Sequence, residues 1–312
     1  MSVFKRTYRP FTGTPTSRTA RFAVLMRYSL ADVWSSRITN VLFVGCMIPV
    51  LLTMSASVVL AQKQEALPFA AGETLVYEAK LSKIVSGLPI ADLTFVVANG
   101  TPGELQIKAD ARSKGTLLKL AHYSFLYSFA SSIDTSNFRI NSTERKTTEK
   151  ERVRTGEAKF DYGEKRVTYL ETDPAEPMKP PRKIASGIED KTQDVVSGIY
   201  SLRLLPLGIG KRFDITVSDS GLVYDVPVRV AAREKQKSIL GDVWCYRLEP
   251  EVFGPGHMVE DKGSMSIWIT DDARRVPVRS RIDTSFGRVE VRLRSISTPS
   301  LTASTTTTAK IR

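Results

Sequence analysis

Apolar and polar positions alternate with period two through most of the chain after Thr74. Leu75, Tyr77, Ala79 and Leu81 alternate with Thr74, Val76, Glu78 and Lys80. Phe213, Ile215 and Val217 alternate with Arg212, Asp214 and Thr216, and Val289, Val291 and Leu293 with Arg288, Glu290, Arg292 and Arg294. The same period recurs over 91–97, 224–230 and 265–270. Each run has one apolar and one mainly polar face, as expected of an antiparallel sheet with one wet side. Further strands are predicted at 104–112, 123–132, 138–146, 152–160, 165–171, 243–250 and 274–284, and turn pairs such as Asn99-Gly100, Ser220-Gly221 and Phe286-Gly287 separate many of them. About a dozen strands in a row curl into a barrel or fold over as a sandwich. The predicted fold is mainly β: a long antiparallel sheet curled into a barrel or half barrel, with one or two short helices packed on or in it.

Two segments break the alternation. Gly115 to His122 (GTLLKLAH) is a short helix candidate. From Thr192 to Leu204, the residues Val195, Val196, Ile199 and Leu202 fall at helical spacing, and Pro206 stops the run. This apolar stripe packs against the sheet or plugs the mouth of a barrel. The Pro-rich stretch Asp173 to Arg182 reads as a loop leading towards this helix, and residues 297–312 (STPSLTASTTTTAKIR) read as a disordered tail.

The run Val41 to Leu60 holds no charged residue, follows Arg21, Arg27 and Arg37, and precedes the polar stretch Gln62-Lys63-Gln64-Glu65. A positive flank, an apolar core and a small residue at the exit make a secretory signal, with cleavage expected after Ala61. Its length also suits a membrane-spanning helix, so a retained anchor is the alternative. The polar region before it is long for a signal, and Met26 is a candidate start. Phe43-Val44-Gly45-Cys46 is rejected as a lipid-attachment motif, because the apolar run continues past Cys46. The chain is thus divided into an N-terminal polar region with signal or anchor (1–61), an exported β domain (62–296) and the tail (297–312). The expected address is the periplasm, free or anchored in the inner membrane.

Charge sharpens this picture. The chain has 45 basic and 33 acidic residues, a net of +12, but residues 1–61 carry seven bases and one acid. The rest keeps a net of +6, a weak case for nucleic acid that export weakens further. Cys245 is the one cysteine after residue 61, so no intrachain disulfide forms there, and its apolar neighbours point to a buried structural thiol.

Three motifs stand out against this background: Gly72-Glu73-Thr74-Leu75-Val76-Tyr77-Glu78 at the head of the β region, Asp194-Val195-Val196-Ser197-Gly198-Ile199-Tyr200-Ser201-Leu202-Arg203 in the helix, and the late hairpin from Ile267 to Val278. Together they resemble the DUF3108 family of exported bacterial proteins, over roughly residues 70–297. The resemblance implies a mainly β envelope protein of a Gram-negative bacterium, and supplies no catalytic residues. A further likeness to the open barrels of lipoprotein carriers rests on fold analogy alone.

Candidate chemistry is sparse. Asp194, Ser197, Tyr200 and Arg203 recur every third residue of the helix and form a candidate polar stripe for a ligand headgroup, or a cap and outward face. Asp271 and Asp272 at a hairpin tip, with His257 in a Gly/Pro-rich loop, form an alternative polar site; the plainer reading is a charged turn and a solvated loop histidine. His122 reads as a boundary residue, and Arg145 to Arg154 as the wet face of a strand pair. No metal-ligand spacing, nucleotide loop or nucleophile elbow occurs, and no cofactor is expected. The expected function is a non-enzymatic envelope protein that binds an apolar or amphipathic ligand such as a lipid, or scaffolds envelope proteins. The alternatives are an enzyme acting on an envelope polymer through convergent carboxylates, and a purely structural interaction protein. Membrane contact is expected only through an uncleaved N-terminal segment.

Overall fold

The computed structural model describes residues 67–82, 87–120 and 122–298. Val41 to Leu60, the cleavage point at Ala61 and residues 299–312 lie outside the described residues. Strands β1 (Thr74–Ser82), β2 (Leu88–Asn99) and β3 (Glu104–Ser113) are followed by helix α1 (Thr116–Leu120). Strands β4 (Phe125–Asp134), β5 (Ile140–Glu149), β6 (Arg152–Asp161), β7 (Arg166–Thr172) and β8 (Arg182–Gly187) come next. The two-residue β9 (Gln193–Asp194) runs directly into helix α2 (Val195–Ser201) and a 3-10 turn (Leu202–Leu204). The remaining strands are β10 (Arg212–Asp219), β11 (Leu222–Ser238), β12 (Gly241–Pro250), β13 (Gly263–Thr270), β14 (Pro277–Thr284) and β15 (Gly287–Ser297).

The fifteen strands of the described residues form one sheet in the order β8-β7-β6-β5-β4-β3-β2-β1-β15-β14-β13-β12-β11-β10-β9. The first and last strands of the chain pair at its centre, where Leu75 faces Ile296 and Ala79 faces Val291. Every pairing is antiparallel except the short β9–β10 contact. The sheet curls without closing its hydrogen-bond ladder: β8 and β9 remain its ends. Its far parts nevertheless touch. Gly221, in the β10–β11 turn at φ +81, lies so close to β7 and β8 that a Cβ there would sit 2.6 Å from Tyr169 Cβ and 3.1 Å from the Ile184 carbonyl. A side chain is excluded both by the left-handed backbone and by this approach.

The inward positions predicted from the alternation form the core. Leu75, Leu93, Phe95, Ile107, Ile215, Val228, Ile267, Ile282 and Val291 join one large buried cluster that includes Val195, Val196, Ile199, Tyr200 and Leu202. A second cluster, built on Ile140, Phe160, Val167 and Tyr169, fills the β5–β8 end. On the outer face Trp268 is buried as well, under the guanidinium of Arg279 4.5 Å from its ring, with its indole N–H donated to Glu234.

The structure departs from the sequence reading in four places. The Pro-rich stretch read as a loop over 173–182 does not lead straight to the helix: its last residue, Arg182, opens β8, and Arg182–Gly187 pairs back on β7. Its neighbours are exposed polar residues, so no apolar face announces it. β11 runs on past residue 230 to Ser238, where Arg233, Lys235 and Lys237 alternate with polar residues and hide the period. β14 begins at Pro277, because 271–276 is the turn. Ser297, assigned to the tail, ends β15.

Candidate functional site

α2 is a plug. All seven of its residues are buried, as in a helix that is surrounded by core. Val195, Val196 and Gly198 are poor helix formers, so the helix exists because its surroundings demand it. Asp194 starts it. The Asp194 carboxylate accepts from the Ser197 amide at 2.6 Å, and the Ser197 hydroxyl accepts from the Asp194 amide at 3.0 Å, a capping box. The other Asp194 oxygen accepts from the hydroxyls of Ser131 on β4 and Thr143 on β5, each at 2.5 Å. Asp194 thus fastens the plug to the wall.

Arg203 fastens its other end. It pairs through two nitrogens with the carboxylate of buried Glu73, one contact at 2.9 Å, and donates to the carbonyls of Pro68 and Arg274 at 2.9 Å each. Its guanidinium also lies over the rings of Phe69 and Tyr200, at 4.8 and 5.3 Å. Tyr200 meets Phe69 edge to face at 4.8 Å, and burial drives its phenol well above the usual tyrosine range. Its hydroxyl is buried without a hydrogen-bond partner among the described residues. Asp194, Ser197 and Arg203 therefore spend their polar atoms on contacts within the chain, and Tyr200 fills core space.

Beside Asp194 a small cleft opens where the two ends of the sheet meet. Phe129, Thr143, Arg145, Tyr169, Ser218 and Asp219 line it. It encloses about 20 Å³, room for one water. Arg145 crosses it, donating to Asp219 at 3.2 Å and to the Ser220 hydroxyl at 2.6 Å. The buried Ser218 hydroxyl has no hydrogen-bond partner among the described residues. Arg145 thus leaves the wet face assigned to the 145–154 run and ties the two sheet ends together.

The second candidate group does not assemble. His257 lies in the loop between β12 and β13, with Nδ1 3.2 Å from the Pro255 carbonyl, whereas Asp271 and Asp272 follow the far end of β13. The eight residues of β13, about 25 Å, separate them. Asp271 pairs with Arg233 at 2.6 Å. Asp272 accepts from the Thr270 hydroxyl at 2.7 Å, the amides of Arg274 and Arg275 at 3.1 Å, and the Arg274 side chain at 2.7 Å. Burial alone would raise its pKa, but the Thr270 and Arg274 bonds outweigh it and hold the carboxyl below its ordinary range. Its contacts are those of a turn organiser. His122 stands exposed just after α1. Cys245 is buried, and burial, then the nearby Asp272, Glu234 and Asp271 carboxylates, push its thiol up to about 12. Among the described residues no group of three or more His, Cys, Asp or Glu side chains could hold a metal ion.

Sequence reasoning missed Glu73, Ser131 and Thr143, the partners that give Arg203 and Asp194 their roles. Glu73 stood inside a motif already singled out, but nothing in the spacing linked it to a residue 130 positions away.

A single curled antiparallel sheet with an internal helical plug defines a β-barrel-like protein. The family model described as "protein of unknown function (DUF3108)" matches residues 76–294, and the chain belongs to this family. Among curated proteins, none matches the sequence. Its fold is similar to the crystal structure of a β-barrel-like protein of the DUF1849 domain from Brucella abortus, at 12% identity and TM-score 0.51, covering 74% of this chain and 99% of that one. Two weaker likenesses, each with TM-score 0.29, carry no argument. One is a protein from Bacteroides fragilis provisionally described as exported, with a YmcC-like fold, at 11% identity over 74% of this chain and 98% of that one. The other is provisionally described as a lipoprotein, from Parabacteroides distasonis, at 10% identity over the same shares.

Proposed function

We propose that this protein is a non-enzymatic component of the bacterial cell envelope that scaffolds other envelope components. The observation that carries the reading is the filled interior. α2 occupies the space inside the curled sheet, pinned at one end by Asp194 and at the other by Arg203. The cleft beside it encloses about 20 Å³, whereas pockets for small ligands run to several hundred. The envelope address is supported by the uncharged run Val41 to Leu60 behind its arginine flank. The carboxylates that would serve an enzyme, Asp271 and Asp272, are held by arginines and turn amides. The function then resides on the outer surface.

Native mass spectrometry of the protein purified gently from its own envelope tests this. The expected spectrum shows the polypeptide alone or with protein partners. A stoichiometric lipid or glycan adduct that survives transfer and is released on unfolding would overturn the scaffold reading in favour of a carrier. The same spectrum reports whether the chain begins at Gln62.

A further inference from the structure

The rim where the chain enters the barrel gathers apolar and basic side chains that the interior does not use. Contacts trace this rim continuously. Arg203 holds the Pro68 carbonyl, just after the start of the described chain, and the Arg274 carbonyl in the β13–β14 turn. In that turn Asp271 pairs with Arg233, whose guanidinium lies 4.5 Å from the centre of the Trp244 ring. Gly210 donates to the Val230 carbonyl at 2.9 Å, which seats Ile209 beside β11.

Three large apolar side chains on this rim face solvent: Ile209 is 65% exposed, Ile239 at the β11–β12 tip 46%, and Trp244 44%. Around them Lys211, Lys235 and Lys237 are exposed and have no ion pair among the described residues. Part of the hairpin has free edges. Backbone bonds to the β10 side end at Val230, and those to the β13 side begin at Trp244, whose carbonyl accepts from the Asp271 amide at 2.8 Å, so among the described residues the backbone edges of 235–243 stand beyond both neighbours. A tryptophan and aliphatic side chains flanked by three lysines, with the one exposed acid of the hairpin tip, Asp242, across from Lys237, match the water–lipid boundary, where indole prefers the headgroup layer and ammonium groups meet lipid phosphates.

The chain outside the described residues points to the same occupant. Six residues separate Leu60, the end of the uncharged 20-residue run, from Leu67. An extended chain of that length reaches about 25 Å at most. If the run stays in a bilayer, the rim beside Pro68 is the part of the barrel held nearest to it. We infer that this rim docks on an anionic phospholipid bilayer, with Trp244, Ile239 and Ile209 in the headgroup layer and Lys211, Lys235 and Lys237 facing lipid phosphates. The inference rests on the envelope address proposed above. Membrane docking of the rim and cellular location are read by separate experiments, so either can fail alone.

The test uses the full chain carrying Trp34→Phe, so that Trp244 and the buried Trp268 are the remaining tryptophans. It is reconstituted in equimolar phosphatidylcholine and phosphatidylglycerol vesicles with brominated acyl chains. The expected result is quenching of a component that disappears on adding Trp244→Phe. Quenching is weaker in pure phosphatidylcholine and unaffected by soluble phosphate. Replacing Lys211, Lys235 and Lys237 together with Gln lowers the ratio of docked to undocked protein about 100-fold, from a gain of about fivefold per lysine at an anionic surface. All four positions are exposed, and unchanged circular dichroism verifies the fold of each variant. Absence of Trp244 quenching at equal incorporation overturns the inference, leaving this rim to a protein partner. Equal quenching in neutral and anionic vesicles overturns its electrostatic part.

Discussion

Arg203 and Glu73 show how a recurring polar position is best understood through its partner. Both are buried, so each charge depends on the other and on the two carbonyls that Arg203 also holds. Arg203→Ala leaves the Glu73 carboxylate unpaired in the core and is expected to cost about 3–5 kcal/mol in urea unfolding. The pair Glu73→Gln with Arg203→Met recovers most of that loss. Equal instability of the single and double variants would show that Arg203 acts by something other than this pair. Cys245 gives a pH-dependent counterpart. Its folded pKa of about 12 stands above the ordinary thiol value of about 8.5, so the unfolded chain loses this proton first as pH rises. The thiol therefore takes nothing from stability below about pH 8.5, and stability falls between there and about 12. Cys245→Ala removes this part of the alkaline slope in thermal melts, and the native thiol resists aromatic disulfide reagents at pH 8 until denaturant is added.

The elements divide into those that announce themselves and those that depend on neighbours. β1, β2, β10 and β15 follow a clean two-residue period because one face meets the core and the other meets water. β8 and the outer half of β11 have no such contrast: Arg182–Gly187 lies at a sheet end, and Arg233 to Ser238 stands away from the core. α2 was legible from Val195, Val196, Ile199 and Leu202, and its position inside the sheet was one of the two placements the stripe allowed. The contacts of its polar residues were not legible, because Ser131, Thr143 and Glu73 come from strands far away in sequence. The meeting of the two sheet ends was equally hidden in an ordinary Ser220-Gly221 turn. Gly221→Ala forces a Cβ into Tyr169 in a left-handed backbone, and is expected to destabilise the protein by about 2–4 kcal/mol. Urea titration of the variant measures it. A change below about 1 kcal/mol would mean that the seam parts easily.

At the scale of the whole molecule, the described strands form one sheet that pairs β1 with β15 in the middle of its order, so the first and last strands lie side by side. Its ends meet through Arg145, Asp219 and the Gly221 turn instead of through a backbone ladder. Such a shell could house a ligand only if the plug left. The central claim is that it does not leave, and that function is carried by the outside of the shell. Hydrogen exchange read at single amides tests this most directly, on the protein alone and again with detergent-solubilised bacterial phospholipids. The account predicts that the amides of Val196 to Leu205 exchange as slowly as those at the centres of β1, β2 and β14, with no change when lipid is added. Fast exchange of these amides, or protection that shifts with lipid, would mark the plug as a gate and contradict the account.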